Sequence, residues 1–446
     1  MKKVYAIVLA LAMATTMFGC TKGSENVQTS TVASGETSTA STASTGKSEA
    51  KPIVWLTEIA KENQDILDAF EKAKGIKVVG EYVSFNDLFE TIEVKIASGS
   101  KDYDVISVDG PMVAAYATRG YITPMDKYFT DEEKKQFITS SLNAGTWDGK
   151  FYAPPMATSA QLLWYNTDLL KQAGITMPKN DPDKRLTWEE IEKMAKDTLA
   201  VVDPDKSKGI SGIQFQQVSR TYQMCALANS MGGKNIGDDG FTVDGVINDK
   251  AWVNAMTWMQ GLYTNGLSAK GVTADEIPNY FNSGKIVFMA GGTWTAAACD
   301  AAGMKTYGWA YAPAFKGFEK SVGTGTGSWH FGINAASENV DAAAEFIKYM
   351  SLGEGSDMYL EWIGDMPARE SKIKEILDNP DAPGYLKVGA YEAANTAVPR
   401  ALTPGYSEYS TVIDATLENI RNGAEVKGAL DSAVEQINAS MAKYKK

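Results

Sequence analysis

Ile53-Val54-Trp55-Leu56, Asn63 to Lys74, Ile76 to Val83, Asn86 to Ala97 and Asp104-Val105-Ile106-Ser107-Val108 follow one another almost without interruption, and their order decides the fold. The first, third and fifth are apolar runs of strand length. The second carries Ile66, Leu67 and Phe70 on one helical face and stops at Gly75, a residue suited to the left-handed position that closes a helix. The fourth has Phe89, Ile92, Val94 and Ile96 at helical length. Strand, helix, strand, helix, strand implies a parallel sheet with helices on both faces. Ligands of such α/β sheets sit just outside the carboxyl ends of the strands, which singles out Thr57, Glu58 and Asp109.

Upstream, Met1-Lys2-Lys3 precedes an apolar run from Val4 to Phe18 and then Gly19-Cys20. A membrane helix needs about 20 apolar residues, so this run reads as the core of an export signal. Met17-Phe18-Gly19-Cys20 resembles the bacterial lipoprotein signature, which implies lipidation of Cys20 and residence on the extracytoplasmic face of the cell membrane. Thr21 to Ala50 is mostly Ser, Thr, Ala and Gly, with nothing to offset the entropy of ordering, and reads as a tether.

Downstream, Phe151 to Pro155 and Leu162 to Tyr165 are extended stretches, and Asn166 opens a helix that ends at Gly174. Thr187-Trp188-Glu189-Glu190 is a capping box opening a helix through Leu199. A second α/β pattern then begins, with strands at Ile213 to Gln216 and Lys285 to Met289 and a helix at Tyr222 to Met231. Amphipathic helices follow around Phe346 and in two C-terminal segments. Removing Lys2 and Lys3 takes the formal charge from −12 to −14, which argues against nucleic acid as a partner. After Cys20 only Cys225 and Cys299 remain, in Ala-rich helical surroundings that suit small buried hydrophobes better than a disulfide. No zinc spacing or phosphate loop is present, one histidine offers little to nucleophilic catalysis, and no cofactor is expected.

Lys74-Gly75-Ile76-Lys77-Val78, Tyr103-Asp104-Val105, Gly149-Lys150-Phe151-Tyr152-Ala153-Pro154, Trp164-Tyr165-Asn166-Thr167-Asp168-Leu169-Leu170, Phe281-Asn282-Ser283-Gly284-Lys285 and Met366-Pro367 occur in an order that resembles the solute-binding proteins of ABC sugar importers. The likeness covers nearly all of the chain after the tether. It implies a two-lobed α/β, type II binding-protein fold with a central cleft and hinge closure. The domains would be 1–19 as signal, 20–50 as lipidated Cys20 and tether, 51–157 with 313–352 as one lobe, and 158–312 with 353–446 as the other. It further implies a monomer, a carbohydrate ligand, a permease partner and membrane attachment through lipid.

A sugar offers C–H faces and a rim of hydroxyls, so its site needs flat aromatic rings beside planar hydrogen-bonding groups. Trp294 after Gly291-Gly292, Trp329 after the run Gly323 to Ser328, and Trp362 before Gly364-Asp365 are the aromatic candidates. Thr57, Glu58, Asp109, Ser159, Thr293 and Arg400 are the polar ones. Each has a plainer role open to it: Trp329 alternates with Phe331 and Ile333 as a strand face, Trp294 can pack under the helix that follows, Glu58 and Asp109 can cap helices, and Arg400 can form a surface ion pair. Two other functions stay open. Glu58 and Asp109 could serve an exported glycoside hydrolase, or the same architecture could hold a peptide or polyamine.

Overall fold

The computed structural model describes residues 51–58, 64–327, 329–363 and 365–445, without the side chains of 85–86 and 362–363. The expected signal, lipidated Cys20 and tether fall on residues 1–50, outside the described residues. β1 (Ile53–Thr57), β2 (Val78–Tyr82) and β3 (Val105–Asp109) form the expected parallel core of the first sheet. Its order is β2-β1-β3-β12-β6, because β12 (Trp329–Ile333) inserts antiparallel between β3 and β6 (Pro155–Ala157). The register sets Trp329 directly opposite Asp109, which brings a ring from the far end of the chain to the mouth of β3.

The second sheet runs β10-β7-β9-β8, built from β7 (Gln161–Asn166), β8 (Ser211–Phe215), β9 (Ile286–Gly292) and β10 (Tyr307–Ala310). Only β8 and β9 pair in parallel; β7 runs antiparallel to both neighbours. Two small pairs complete the strands: a hairpin of β4 (Thr146–Trp147) with β5 (Lys150–Phe151), and the parallel pair of β11 (Thr324–Thr326) with β13 (Ala397–Pro399).

The cores follow from these layers. Trp55, fully buried, meets Phe346 edge-on at 5.6 Å, and Phe346 meets Phe70 at 5.2 Å, so helices 64–74 and 340–352 cover the first sheet. Under the second sheet Trp188 lies 5.1 Å from Trp258 and 5.6 Å from Phe215. The capping box is formed: Thr187 N–H donates to Glu190 Oε2 at 2.7 Å and Glu190 N–H to Thr187 Oγ1 at 3.2 Å. Cys225 and Cys299 are both free and buried.

Phe315 lies 5.0 Å from Trp258, beside the rings under the second sheet, and the chain enters the first sheet at β12. The helix Glu354–Ile363 packs through Tyr359 into the core of the first sheet, because its apolar face meets helices 64–74 and 340–352. The return to the second half comes near Met366, whose carbonyl accepts the Thr158 N–H at 2.8 Å.

The run Gly323 to Gly327 is glycine at alternate positions for a steric reason. A Cβ on Gly325 would lie 2.0 Å from the Tyr222 carbonyl oxygen, and one on Gly327 would lie 2.7 Å from the Tyr222 ring. β11 therefore rests directly on the helix Thr221–Asn229.

Candidate functional site

The strand ends converge on a cavity of about 860 Å³. β3 brings Asp109; the connection between β6 and β7 brings Thr158 and Ser159; Trp294 follows β9; and Trp329 opens β12. Arg400 follows β13. These five named candidates, Asp109, Ser159, Trp294, Trp329 and Arg400, are brought together.

Four others are not among the lining residues. Thr57 is fully buried at the end of β1 and accepts the Ser107 hydroxyl at 2.9 Å, because a central strand turns this side chain toward its neighbour. Thr293 is buried behind the wall, its methyl against Gly389. Glu58 directly follows β1, with Oε2 buried and without a hydrogen-bond partner among the described residues. The side chain of Trp362 lies outside the described residues.

Asp109 and Arg400 form a two-pronged ion pair. Arg400 Nη1 donates to Asp109 Oδ2 at 2.9 Å and Nη2 donates to Oδ1. The guanidinium also lies over the rings of Tyr222, at 5.4 Å, and Tyr406, at 5.8 Å. Burial works most strongly against its charge, but Asp109, together with Tyr406 and Tyr222, holds Arg400 above its ordinary range.

Tyr222 is the hub of the opposite wall. Ser159 donates its proton to Gly327 O at 2.8 Å, so the Tyr222 hydroxyl donates to Ser159 Oγ at 2.7 Å and accepts from Gln161 Nε2 at 2.7 Å. The Tyr222 ring faces Trp294 at 6.3 Å with 32° between planes. Gly292 is required there, since a Cβ on it would lie 2.2 Å from the Trp294 indole. Tyr222, Tyr406, Asp365 and Asp414 line the site but were not singled out by the sequence. Tyr222 and Tyr406 stand at helix starts, at Arg220-Thr221-Tyr222 and Gly405-Tyr406, and those starts are the local signal available.

The acidic groups are displaced upward. Glu58 is pushed up from 4.5 to about 7, chiefly by burial and further by the charges of Asp109 and Asp365. Burial raises Asp365 to about 6 and Asp414 to about 6. A carboxyl that keeps its proton longer when folded binds more protons in the native state, so its contribution to stability is lost as pH rises through that window. For Glu58 the window runs from 4.5 to about 7. Glu58→Gln should therefore match the parent at the acid end and exceed it by about 2–3 kcal/mol at pH 8. Urea midpoints across this range check it; an unchanged pH dependence in the variant would assign the titration to another group. Among the described residues no group of His, Cys, Asp and Glu is arranged to hold a metal.

Residues 65–383 match the family model for bacterial extracellular solute-binding proteins. A binding protein of Brucella abortus is 27% identical over 231 residues, which span 51% of this chain and 53% of that protein, so this match covers about half of the relative. The galactooligosaccharide-binding protein of Bacillus subtilis is 24% identical over 415 residues, 90% of this chain and 91% of that one. The maltooligosaccharide ABC transporter solute-binding lipoprotein of Streptococcus pneumoniae is 24% identical over 431 residues, 92% and 93% of the two chains. A cyclo/maltodextrin-binding protein solved with maltotetraose superposes with a TM-score of 0.72 at 23% identity, covering 90% of this chain and 100% of that one. A Listeria monocytogenes ABC substrate-binding protein solved with cycloalternan superposes at 0.71 with 21% identity, covering 88% and 98%. The shared architecture is the two-lobed type II α/β fold, and with most of its folded residues matched by that family model, this chain belongs to the bacterial extracellular solute-binding protein family.

Proposed function

We propose that this chain is a lipid-anchored extracellular receptor that captures a sugar or oligosaccharide in the cleft and delivers it, as a monomer, to an ABC transporter permease. The observation that carries the reading is the wall itself: the ring faces of Trp294, Tyr222 and Trp329 stand beside the planar Asp109–Arg400 pair and the Ser159 hydroxyl in one cavity. Rings take the C–H faces of a sugar, and the polar groups take its hydroxyls. The relatives named for galactooligosaccharide and maltooligosaccharide binding agree with this substrate class. Anchoring rests on Gly19-Cys20 and on a relative described as a lipoprotein; Cys20→Ala should release the protein into the medium.

Thermal-shift screening against neutral oligosaccharides tests the reading, because a ligand that binds only the folded state raises the melting temperature. Trp294→Ala should weaken the best ligand by about 1–3 kcal/mol in calorimetry. An unchanged affinity would remove Trp294 from the site. As for glycoside hydrolysis, both Asp109 oxygens are engaged by Arg400, which leaves that carboxylate poorly disposed to attack a substrate or activate water. Oligosaccharides should be returned uncut after incubation; product that disappears with Asp109→Asn would identify an enzyme.

A further inference from the structure

Among the described residues the charges that line the cleft do not balance. Two arginines line it and both are engaged: Arg400 by Asp109, and Arg220 by Asp275 at 3.1 Å. Glu93 on the same wall is held by Arg119. Asp365 lines the cleft with burial as the cause of its displaced titration, and no hydrogen bond or ion pair to a described residue relieves it. Asp414 accepts the Thr221 N–H at 2.7 Å and has no salt bridge among the described residues. Glu58, within electrostatic reach of Asp365, keeps a buried oxygen without a hydrogen-bond partner among the described residues.

These carboxyls share the cavity with ring faces. Asp365 is within electrostatic reach of Tyr222, whose ring faces Trp294. A neutral sugar needs rings and dipoles, whereas uncompensated carboxyls beside aromatic faces match an ammonium: the acid offsets its charge and the ring quadrupole attracts it. Among the described residues no lysine lines the cavity to compete for that place.

Resting on the sugar-receptor reading, we propose that the captured saccharide carries a protonated amine, an amino-sugar unit seated between Asp365 and the Trp294–Tyr222 wall. Among the described residues the titratable groups within electrostatic reach of Asp365 are Glu58, Tyr222 and Tyr359. Asp365 ionises at about 6, so amine binding rises with pH through that region. It falls again where the amine loses its proton, giving a bell-shaped profile.

The experiment compares two β-1,4 tetramers by calorimetry on the intact protein: the fully deacetylated glucosamine tetramer and cellotetraose, which differ in having an amine or a hydroxyl at each C2. The amino tetramer should bind about tenfold tighter near neutral pH, the gain from one relieved carboxylate. Asp365→Asn should erase the preference of the amino tetramer over cellotetraose, and Glu58→Gln should reduce it in part. Equal or tighter binding of cellotetraose, no binding of the amino tetramer, or a preference that survives Asp365→Asn overturns the assignment of charge. The sugar-receptor reading itself falls only if the neutral oligosaccharide screen is also silent, so the two failures are distinguishable.

Discussion

Replacing Arg400 with alanine is expected to cost about 3–5 kcal/mol of stability, because it leaves the Asp109 carboxylate buried with neither of its arginine bonds. The side chains of Arg400 and Asp109 are 13% and 12% exposed, so water compensates little. The loss also removes the cation that lies over Tyr222 and Tyr406. Urea denaturation measures the effect, and the double variant Arg400→Ala with Asp109→Ala should recover part of it, since it removes the stranded charge as well. A single-variant loss below about 1 kcal/mol would mean that the pair behaves as a surface ion pair. Ligand affinity should fall too, because the pair fixes the polar edge of the cleft.

Glu392→Ala should cost a similar amount, about 3–5 kcal/mol, with a different functional signature. Glu392 is fully buried. Its Oε1 accepts from Arg185 Nη1 at 2.5 Å and from the Ala312 N–H at 2.8 Å, and its Oε2 accepts from Arg185 Nη2 at 3.0 Å and Thr396 Oγ1 at 2.6 Å. Without it Arg185 keeps only the Ala312 carbonyl at 3.0 Å and the rings of Tyr311 and Tyr391. None of these groups lines the cleft. Stability should therefore drop while the affinity of the surviving folded protein stays within about twofold, where 1.4 kcal/mol would be tenfold. A large loss of affinity would show that this network governs the cleft as well.

The candidate site was half legible. Asp109, Trp294 and Trp329 were legible because a strand end or neighbouring glycines mark each locally; Ser159 lies in the link between two extended stretches, and Arg400 carries no such mark. Thr57 had the same local mark as Asp109, yet it lies on a strand flanked by β2 and β3 and turns inward to Ser107. Tyr222 and Tyr406 were missed because each stands at the start of a helix with nothing local to distinguish it, and only the approach of Arg400 and Trp294 makes their faces part of a wall. The plain reading of Trp329 and the cleft reading are both satisfied: it packs against both cores and still lines the cavity.

Periodicity and punctuation in the chain were enough for the strand-helix alternation of β1 to β3, the capped helix after Thr187 and the twofold start of the α/β pattern, because these depend on residues a few positions apart. The alternate glycines from Gly323 announced a close neighbour but could not say that it was Tyr222. Tertiary structure alone decided that β12 enters the first sheet antiparallel and that Asp109 meets Arg400 across 291 positions. The physical reason is that a pairing between distant segments is chosen by burial and charge compensation summed over the whole fold, and no local spacing records that sum.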